Sequence, residues 1–502
     1  MSDTNVTILH INDYHNRFEP ANQDGGRCTV MDETLHQCYG GFARLVTQVD
    51  ELRSTKSNVL LVDAGDQYQG TSWFIVFQGK AAGYFMNYLQ YDVMALGNHE
   101  FDSGISGLVP FLENVTFPVI SVNIDATHEP QLDMLYRPSA VLDLDGGDKI
   151  GFIGYTTQDT PISTSTGDLI FLDEIEAIQA EVDRLTSEGI TKIVALGHSG
   201  YTKDLEIAEK VRGVDLVIGG HSHTLLYSGE PPVPEDVAEG PYPTLVNSAH
   251  ELSYIVPVVT AYRYGKYLGH LQLTFDDDGN LVGWEGNPII LDSSVAEDTD
   301  ALNEVGKWRS DLNAATAEII GETHVFLDGR GESCRFKECN MGNMLCDAAI
   351  WYYHKVGVKD ANLAIWNGDG IQESFYEGNI TLGDLMNVLP YEDTIDLLEL
   401  KGADIMDILE YSVHLYDGVS GETGFLQMGG IRVTFDTNMP AYQRVVKAEV
   451  ICSECDVPQF VTLDMDTTYK LICNSFLAAG GHGYSMIVDN KLSHHIGKNK
   501  FF

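Results

Sequence analysis

Five apolar runs, Val6–Ile11, Val59–Val62, Val93–Leu96, Ile193–Leu196 and Leu216–Ile218, each give way to a short turn carrying Asp, Asn or His, mostly beside glycine. Between them lie stretches with apolar residues three and four apart, such as Gly41–Leu52 and Ile175–Leu185, which read as amphipathic helices. Strand and helix in alternation are the signature of βαβ units and predict an α/β fold with parallel strands. The carboxyl ends of neighbouring parallel strands lie together, so the turns that follow them converge. These turns read Asn12-Asp13-Tyr14-His15, Asp63-Ala64-Gly65-Asp66, Gly97-Asn98-His99-Glu100-Phe101-Asp102, Gly197-His198-Ser199-Gly200 and Gly219-Gly220-His221-Ser222-His223.

Taken singly, each turn has a plain reading as a tight bend or a hydrogen-bonded core histidine. Taken together, they supply the ligands that a hydrolytic centre of two divalent cations about 3.5–4 Å apart requires. Asp13 and His15, two apart on a segment expected to be extended, would face one side and share a cation. Gly65 would let the backbone turn sharply and project the Asp66 carboxylate from its strand tip. Asp102, three residues beyond His99, could accept a hydrogen bond from the imidazole and keep it cationic.

The rest of the chain bounds this reading. Its 502 residues carry 74 acidic and 30 basic side chains, a net charge of −44, which excludes a general nucleic-acid binder and disfavours an anionic membrane surface as partner. Mean hydropathy is −0.10, and no apolar run reaches the roughly 18–20 residues of a membrane helix. A β-rich section from Ile255 to Leu281 is followed by an acidic, helix-prone stretch, Val295–Ile319, and then by mixed helices and strands. The domains expected are 1–294 for the cation centre, 295–319 as a linker helix and 320–502 as a second α/β domain. Cys28/Cys38, Cys334/Cys339 and Cys452/Cys455 are spaced as short disulfide loops, although the last, a CxxC, could instead hold zinc or do redox chemistry. Cys346 and Cys473 could pair or stay free. With glycosylation triplets at Asn5, Asn114 and Asn379, the cysteines point to a secreted or cell-surface protein whose leader and any anchor lie outside this chain.

The stretches LHINDYH, NVLLVDAGDQYQG, YDVMALGNHEFDSG, KIVALGHSG, VRGVDLVIGGHSHT, SCRFKECNMGN and LAAGGHGY resemble the calcineurin-like metallophosphoesterases and, more closely, the 5′-nucleotidase family, nearest its animal ecto-enzyme branch. They span nearly the whole chain. The resemblance implies a four-layer α/β/β/α metallophosphoesterase domain joined by the linker helix to a C-terminal α/β substrate-binding domain. It implies that Asp13, His15 and His223 hold one divalent cation and Asn98, His198 and His221 a second, with Asp66 bridging them and His99 and Asp102 as the catalytic pair. Zinc is the first expectation, with manganese, cobalt or magnesium as alternatives. The activity implied is hydrolysis of nucleoside 5′-phosphates by metal-activated water, and a homodimer is left open. Arg335, Asn367, Gln372, Tyr391, Phe476 and His482 fall at the family's nucleotide-binding positions.

Three features depart from the family pattern. Its Asn-Gly-Gly-Gly-Ile-Arg loop reads here Asn367-Gly368-Asp369-Gly370-Ile371-Gln372, so an arginine is lost and a carboxylate gained. Losing one charge-assisted hydrogen bond costs about 1.5–3 kcal/mol. His482 stands where the family places an aspartate that binds ribose, and the chain stops soon after Ser485-Met486-Ile487. Two alternatives follow: a nucleotidase-like protein that binds without turnover, or a phosphoesterase for nucleoside di- and triphosphates, cyclic nucleotides or nucleotide sugars.

Overall fold

The computed structural model describes residues 3–251, 253–391, 393–418, 424–452, 455 and 457–497. The chain forms two compact units, 1–315 and 316–502.

In the first unit, strand Thr4–Ile11 pairs in parallel with Val59–Asp63, which pairs with Val93–Ala95, which pairs with Val119–Ile120. On its other side Thr4–Ile11 runs antiparallel to Tyr267–Phe275. A second sheet sets Lys149–Thr156, Ile193–His198, Leu216–Ile218 and Ile255–Val259 side by side in parallel, edged by the antiparallel strands Ser139–Asp143 and Thr244–Asn247. The five ligand-bearing strands are therefore shared between two sheets.

Period-two alternation explains how the sheets stack. Val6, Ile8, Leu60 and Val62 of the first sheet meet Ile150, Phe152, Val194, Leu196, Leu216 and Ile218 of the second in one buried layer. The opposite faces take helices. Phe42, Leu45, Val46 and Val49 of helix Phe42–Thr55 join Leu9, Ile11 and Leu61, while Ile178, Val182 and Leu185 of helix Glu174–Ser187 join Ile153, Tyr155 and Ile193. Each such side chain contributes about 1.5–3 kcal/mol on full burial. The result is the α/β/β/α stack.

One buried acid ties the second sheet together and carries a pH signature. Asp215 Oδ2 accepts the Ile193 N–H at 2.7 Å and Oδ1 the Tyr254 hydroxyl. Burial pushes its carboxyl up to about 7, against the lowering effect of those bonds. An unfolded carboxyl titrates near ~4, so this contribution to stability is complete below that pH and is lost as pH rises through about 7. Asp215→Asn, which cannot ionise, is expected to gain on wild type by on the order of 3 kcal/mol between pH 4 and pH 8. Urea midpoints at the two pH values measure this, and parallel changes in the two proteins contradict it.

The acidic stretch expected as a linker forms helix Thr299–Thr316. Ala301, Val305 and Leu312 pack into the first unit's core, and Trp308 packs against Phe77, Tyr84 and Phe85. In the second unit, Leu363–Asn367, Thr468–Asn474 and Ile395–Lys401 form the centre of a five-stranded sheet edged by Leu426–Gly429 and Ser493–His495. Disulfides join Cys28 to Cys38, Cys334 to Cys339 and Cys452 to Cys455, so the CxxC is a closed loop. Cys346 and Cys473 are buried thiols without a bridge. Among the described residues no helix is long and apolar enough to cross a membrane.

Candidate metal centre and recognition cluster

At the carboxyl ends of the five strands, the first unit brings seven candidate ligands together. Asp13, His15 and His223 form one group and Asp66, His198 and His221 another, the donor atoms within each lying within 4.8 Å of one another. Asp13 Oδ1 is 3.3 Å from His223 Nε2 and 3.8 Å from His15 Nε2. Asp66 Oδ2 is 2.9 Å from His198 Nε2 and 3.9 Å from His15 Nε2, and Asp13 Oδ1 is 3.7 Å from His198 Nε2, so both carboxylates reach across the two groups, Asp66 with the shorter contact to His198. Asn98 Oδ1 lies 2.8 Å from His221 Nδ1.

The segment holding Asp13 and His15 is not extended. Both residues adopt positive φ, 51° and 52°, as do Asp66, His221 and His223 at 61°, 78° and 53°. The two side chains of the first turn converge because the backbone coils left-handed, not through strand alternation. Such conformations cost about 1–3 kcal/mol each and persist where the surroundings over-determine them. One cause is visible in the packing. A Cβ on Gly65, φ +94°, would meet Gly97 N at 2.6 Å, and one on Gly97 would meet Asp66 Oδ1 at 2.2 Å. The Asp66 and Asn98 turns thus touch backbone to backbone, which no side chain at either glycine would permit.

The donor set fits divalent cations. His15 Nδ1 faces the Tyr68 carbonyl at 3.0 Å and His198 Nδ1 the Ala64 carbonyl at 2.7 Å, so each ring donates there and leaves Nε2 as a lone pair turned inward. His198 Nε2 is buried and faces the Asp66 carboxylate. His15 Nε2 and His223 Nε2 face each other at 3.2 Å, an arrangement suited to two lone pairs aimed at one cation. Burial lowers His15 to about 3 and His221 to about 4, keeping both neutral as metal binding requires. His198 moves the other way: against burial, Asp66 and Asp13 lift it to about 10, so positive charge is drawn to this point whatever supplies it. The fold and these clusters make a dinuclear divalent metal site.

His99 stands beside the centre. Its Nδ1 is 2.8 Å from Asp102 Oδ2, its backbone N–H donates to Asp66 Oδ1 at 2.9 Å, and its Nε2 is 4.0 Å from Asp66 Oδ2. Burial opposes a charge on the ring, yet Asp102 and Asp66 outweigh it and raise the pKa to about 10.

Three supporting residues escape a reading by ligand type. Asn12 donates to Asp13 Oδ2 at 2.7 Å and accepts from Ala261 N at 2.7 Å, fixing the Asp13 carboxylate. Gln69 Nε2 donates to Asp102 Oδ2 at 2.6 Å, holding the carboxylate that holds His99. Buried Glu100 accepts the N–H groups of Asp66, Gln67, Tyr68 and Gly97 at 2.7–3.2 Å and so clamps two ligand turns together. The motif Gly-Asn-His-Glu shows Glu100 beside the site, but its four backbone partners are visible only in the fold. Glu100→Gln would turn an amide NH₂ toward backbone donors and leave two of them unmatched, at a cost of about 2–5 kcal/mol. Chemical unfolding measures it, and a variant within 0.5 kcal/mol of wild type, about the scatter of surface substitutions, contradicts it.

In the second unit, all six expected recognition residues join one network. Asn367 ends its strand, accepts from Asn474 Nδ2 at 2.9 Å and presents its own Nδ2 to His482 Nε2 at 3.3 Å. Arg335 pairs with Asp369, whose Oδ2 is 3.6 Å from His482 Nε2. Gln372 donates to the Asp369 carbonyl at 2.6 Å and to the Tyr391 hydroxyl at 3.0 Å. Phe476 meets the His482 ring edge-on at 4.8 Å and is only half-buried, so it is not a core ring.

Comparison with known proteins places both units in known families. Residues 6–225 match the calcineurin-like phosphoesterase model and residues 319–489 the 5′-nucleotidase C-terminal domain. A 5′-nucleotidase from Bos taurus is 46% identical, covering 98% of this chain and 86% of its own length. A snake venom 5′-nucleotidase from Crotalus adamanteus is 45% identical over 98% of this chain and 84% of its own. The crystal structure of a 5′-nucleotidase precursor from Thermus thermophilus superposes with a TM-score of 0.84 at 37% identity, covering 98% of this chain and 94% of that one. With matched domains at both ends and relatives similar along almost the entire length, the chain belongs to the 5′-nucleotidase family.

Proposed function

We propose that this phosphoric monoester hydrolase removes the phosphate from nucleoside 5′-monophosphates such as AMP. The observation that carries the reading is the convergence of Asp13, His15 and His223 with Asp66, His198 and His221 at their strand ends, beside His99 held by the Asp102 carboxylate. Asp13, His15 and His223 would hold one cation and Asn98, His198 and His221 the other, with Asp66 shared. Zinc suits a set dominated by imidazoles. The cations, when bound, supply Lewis-acid polarisation of the phosphoryl group and acidify the attacking water.

The chain's own residues do the rest. His99 Nε2–H donates to a phosphoryl oxygen and stabilises the charge that grows there. Asp102 holds the proton on Nδ1, and Gln69 keeps Asp102 in place. Arg335, Asn367, Gln372, Tyr391, Phe476 and His482 would recognise the nucleotide: two aromatic side chains for the base and polar groups for sugar and phosphate. Three disulfides and exposed Asn5, Asn114 and Asn379 in glycosylation triplets support an oxidising, extracellular setting.

Inorganic phosphate release from AMP and ADP, and UMP release from UDP-glucose, each with zinc or manganese added, test the reading, AMP being the expected substrate. Release from ADP or UDP-glucose but not AMP would move the activity to another phosphoester. The departures at Asp369, Gln372 and His482, all on the recognition side, motivate one second reading, nucleotide capture without turnover. Tight AMP binding by calorimetry in metal-loaded protein that releases no phosphate would establish it.

A further inference from the structure

We propose that Asp369 sets the anion affinity of the recognition cluster, its carboxylate occupying the Arg335 guanidinium that a ligand phosphate would otherwise engage. This rests on the nucleotide reading above. The pair is built into the backbone. A Cβ on Gly368 would lie 2.2 Å from the Cys334 carbonyl, so the turn bearing Asp369 sits directly on the short helix Gly331–Cys334 that Arg335 follows. That helix end is itself pinned: Gln427 Nε2 donates to the Cys334 carbonyl at 2.7 Å and the Lys337 carbonyl at 2.8 Å, and Cys334 is bridged to Cys339. From the other side Gln372 holds the Asp369 carbonyl, and Gly368 N donates to Phe425 O at 2.7 Å. Guanidinium and carboxylate meet because two packed turns place them together, not because a long side chain reached out.

His482 adds no positive charge beside the pair. Asn474 fixes the Asn367 amide with its Nδ2 toward His482, so His482 Nε2 is an acceptor and the imidazole is neutral. Burial lowers the His482 pKa in the same sense, against the raising effect of Asp369. Gln372 carries no charge. One guanidinium nitrogen of Arg335 meets the Asp369 carboxylate, so the two charges offset each other where a ligand phosphate would bind. An incoming phosphate must compete with Asp369 for Arg335, whereas an uncharged nucleoside need not. The preference for a nucleotide over its nucleoside is therefore compressed at this site.

Asp369→Asn, which keeps size and loses charge, tests this in metal-loaded full-length protein. The readouts are KM for AMP and the inhibition constant of adenosine, each at low and high salt. The ratio of AMP to adenosine affinity is expected to rise about tenfold, the lower end for a charge-assisted hydrogen bond regained by Arg335. The rise should appear in KM and shrink with salt. Asp369→Gly should do the same, and adding Arg335→Met should abolish the gain. An unchanged or smaller ratio in both single variants overturns the proposal. Failure of the nucleotide reading looks different: wild type itself would release no phosphate from AMP and show no binding of adenosine, and the proposal would fall with it.

Discussion

Replacing Asp66 with alanine is expected to lower phosphate release from AMP at least about a thousandfold, the largest single effect in the molecule. Asp66 Oδ2 lies between His198 and His15, at 2.9 and 3.9 Å, so its carboxylate reaches both ligand groups, and it holds the shorter contact to His198, which Asp13 Oδ1 approaches to 3.7 Å. Its Oδ1 also accepts the His99 backbone N–H, tying the turn that carries His99 to the same carboxylate. Removal takes a negative charge from a buried point that already draws positive charge onto His198, and both cation positions weaken together. Bound metal per chain should fall in parallel, while the far-ultraviolet circular dichroism stays near that of wild type. Asp66→Asn keeps the shape and loses the charge, so it should fail almost as completely. A variant that keeps a tenth of wild-type turnover with full metal content would show that Asp66 is not the bridge.

His99→Ala should lower kcat by about a hundred- to a thousandfold, the range measured for deleting one preorganised donor to a developing oxyanion. Metal content should stay near wild type, because His99 touches Asp66 through its backbone N–H and through a 4.0 Å approach rather than as a ligand. KM should change little, since the interaction strengthens as charge develops. Asp102→Asn should cost less, about tenfold, because the ring remains but loses the carboxylate that raises its pKa. If His99→Ala raised KM with kcat intact, the residue would be a ground-state contact and the mechanism would need another source of charge stabilisation.

Much of this centre is legible in the sequence, for a physical reason. Metal ligands must sit at the mouths of strands, strands announce themselves as apolar β-branched runs, and the ligand types are few. Asp13, His15, Asp66, Asn98, His198, His221 and His223 therefore stand out without coordinates. What the pattern hides is long-range. Strand ends at Asp13, Asp66 and Asn98 belong to one sheet and those at His198 and His221 to another, and only the apolar layer between Val6, Ile8, Val194 and Leu196 brings them together. The positive φ of Asp13 and His15 goes with backbone hydrogen bonds from their N–H groups to the Gly65 and Asp66 carbonyls of the next strand's turn, which local propensity does not encode. Glu100 is written in a motif, but its role lies in four backbone N–H groups, three of them more than thirty residues away. Asp369 is the sharpest case. In sequence it is an unexplained acid in a loop expected to meet an anion, and in the fold it already has its cation, Arg335.

The most direct test of the central claim is phosphate release from AMP followed while divalent cation is returned to chelator-stripped protein, with bound metal measured in the same samples. Turnover should be absent in the stripped protein, climb with loading and level off near two cations per chain. Release that persists in the stripped protein, or none at any loading, would contradict the account.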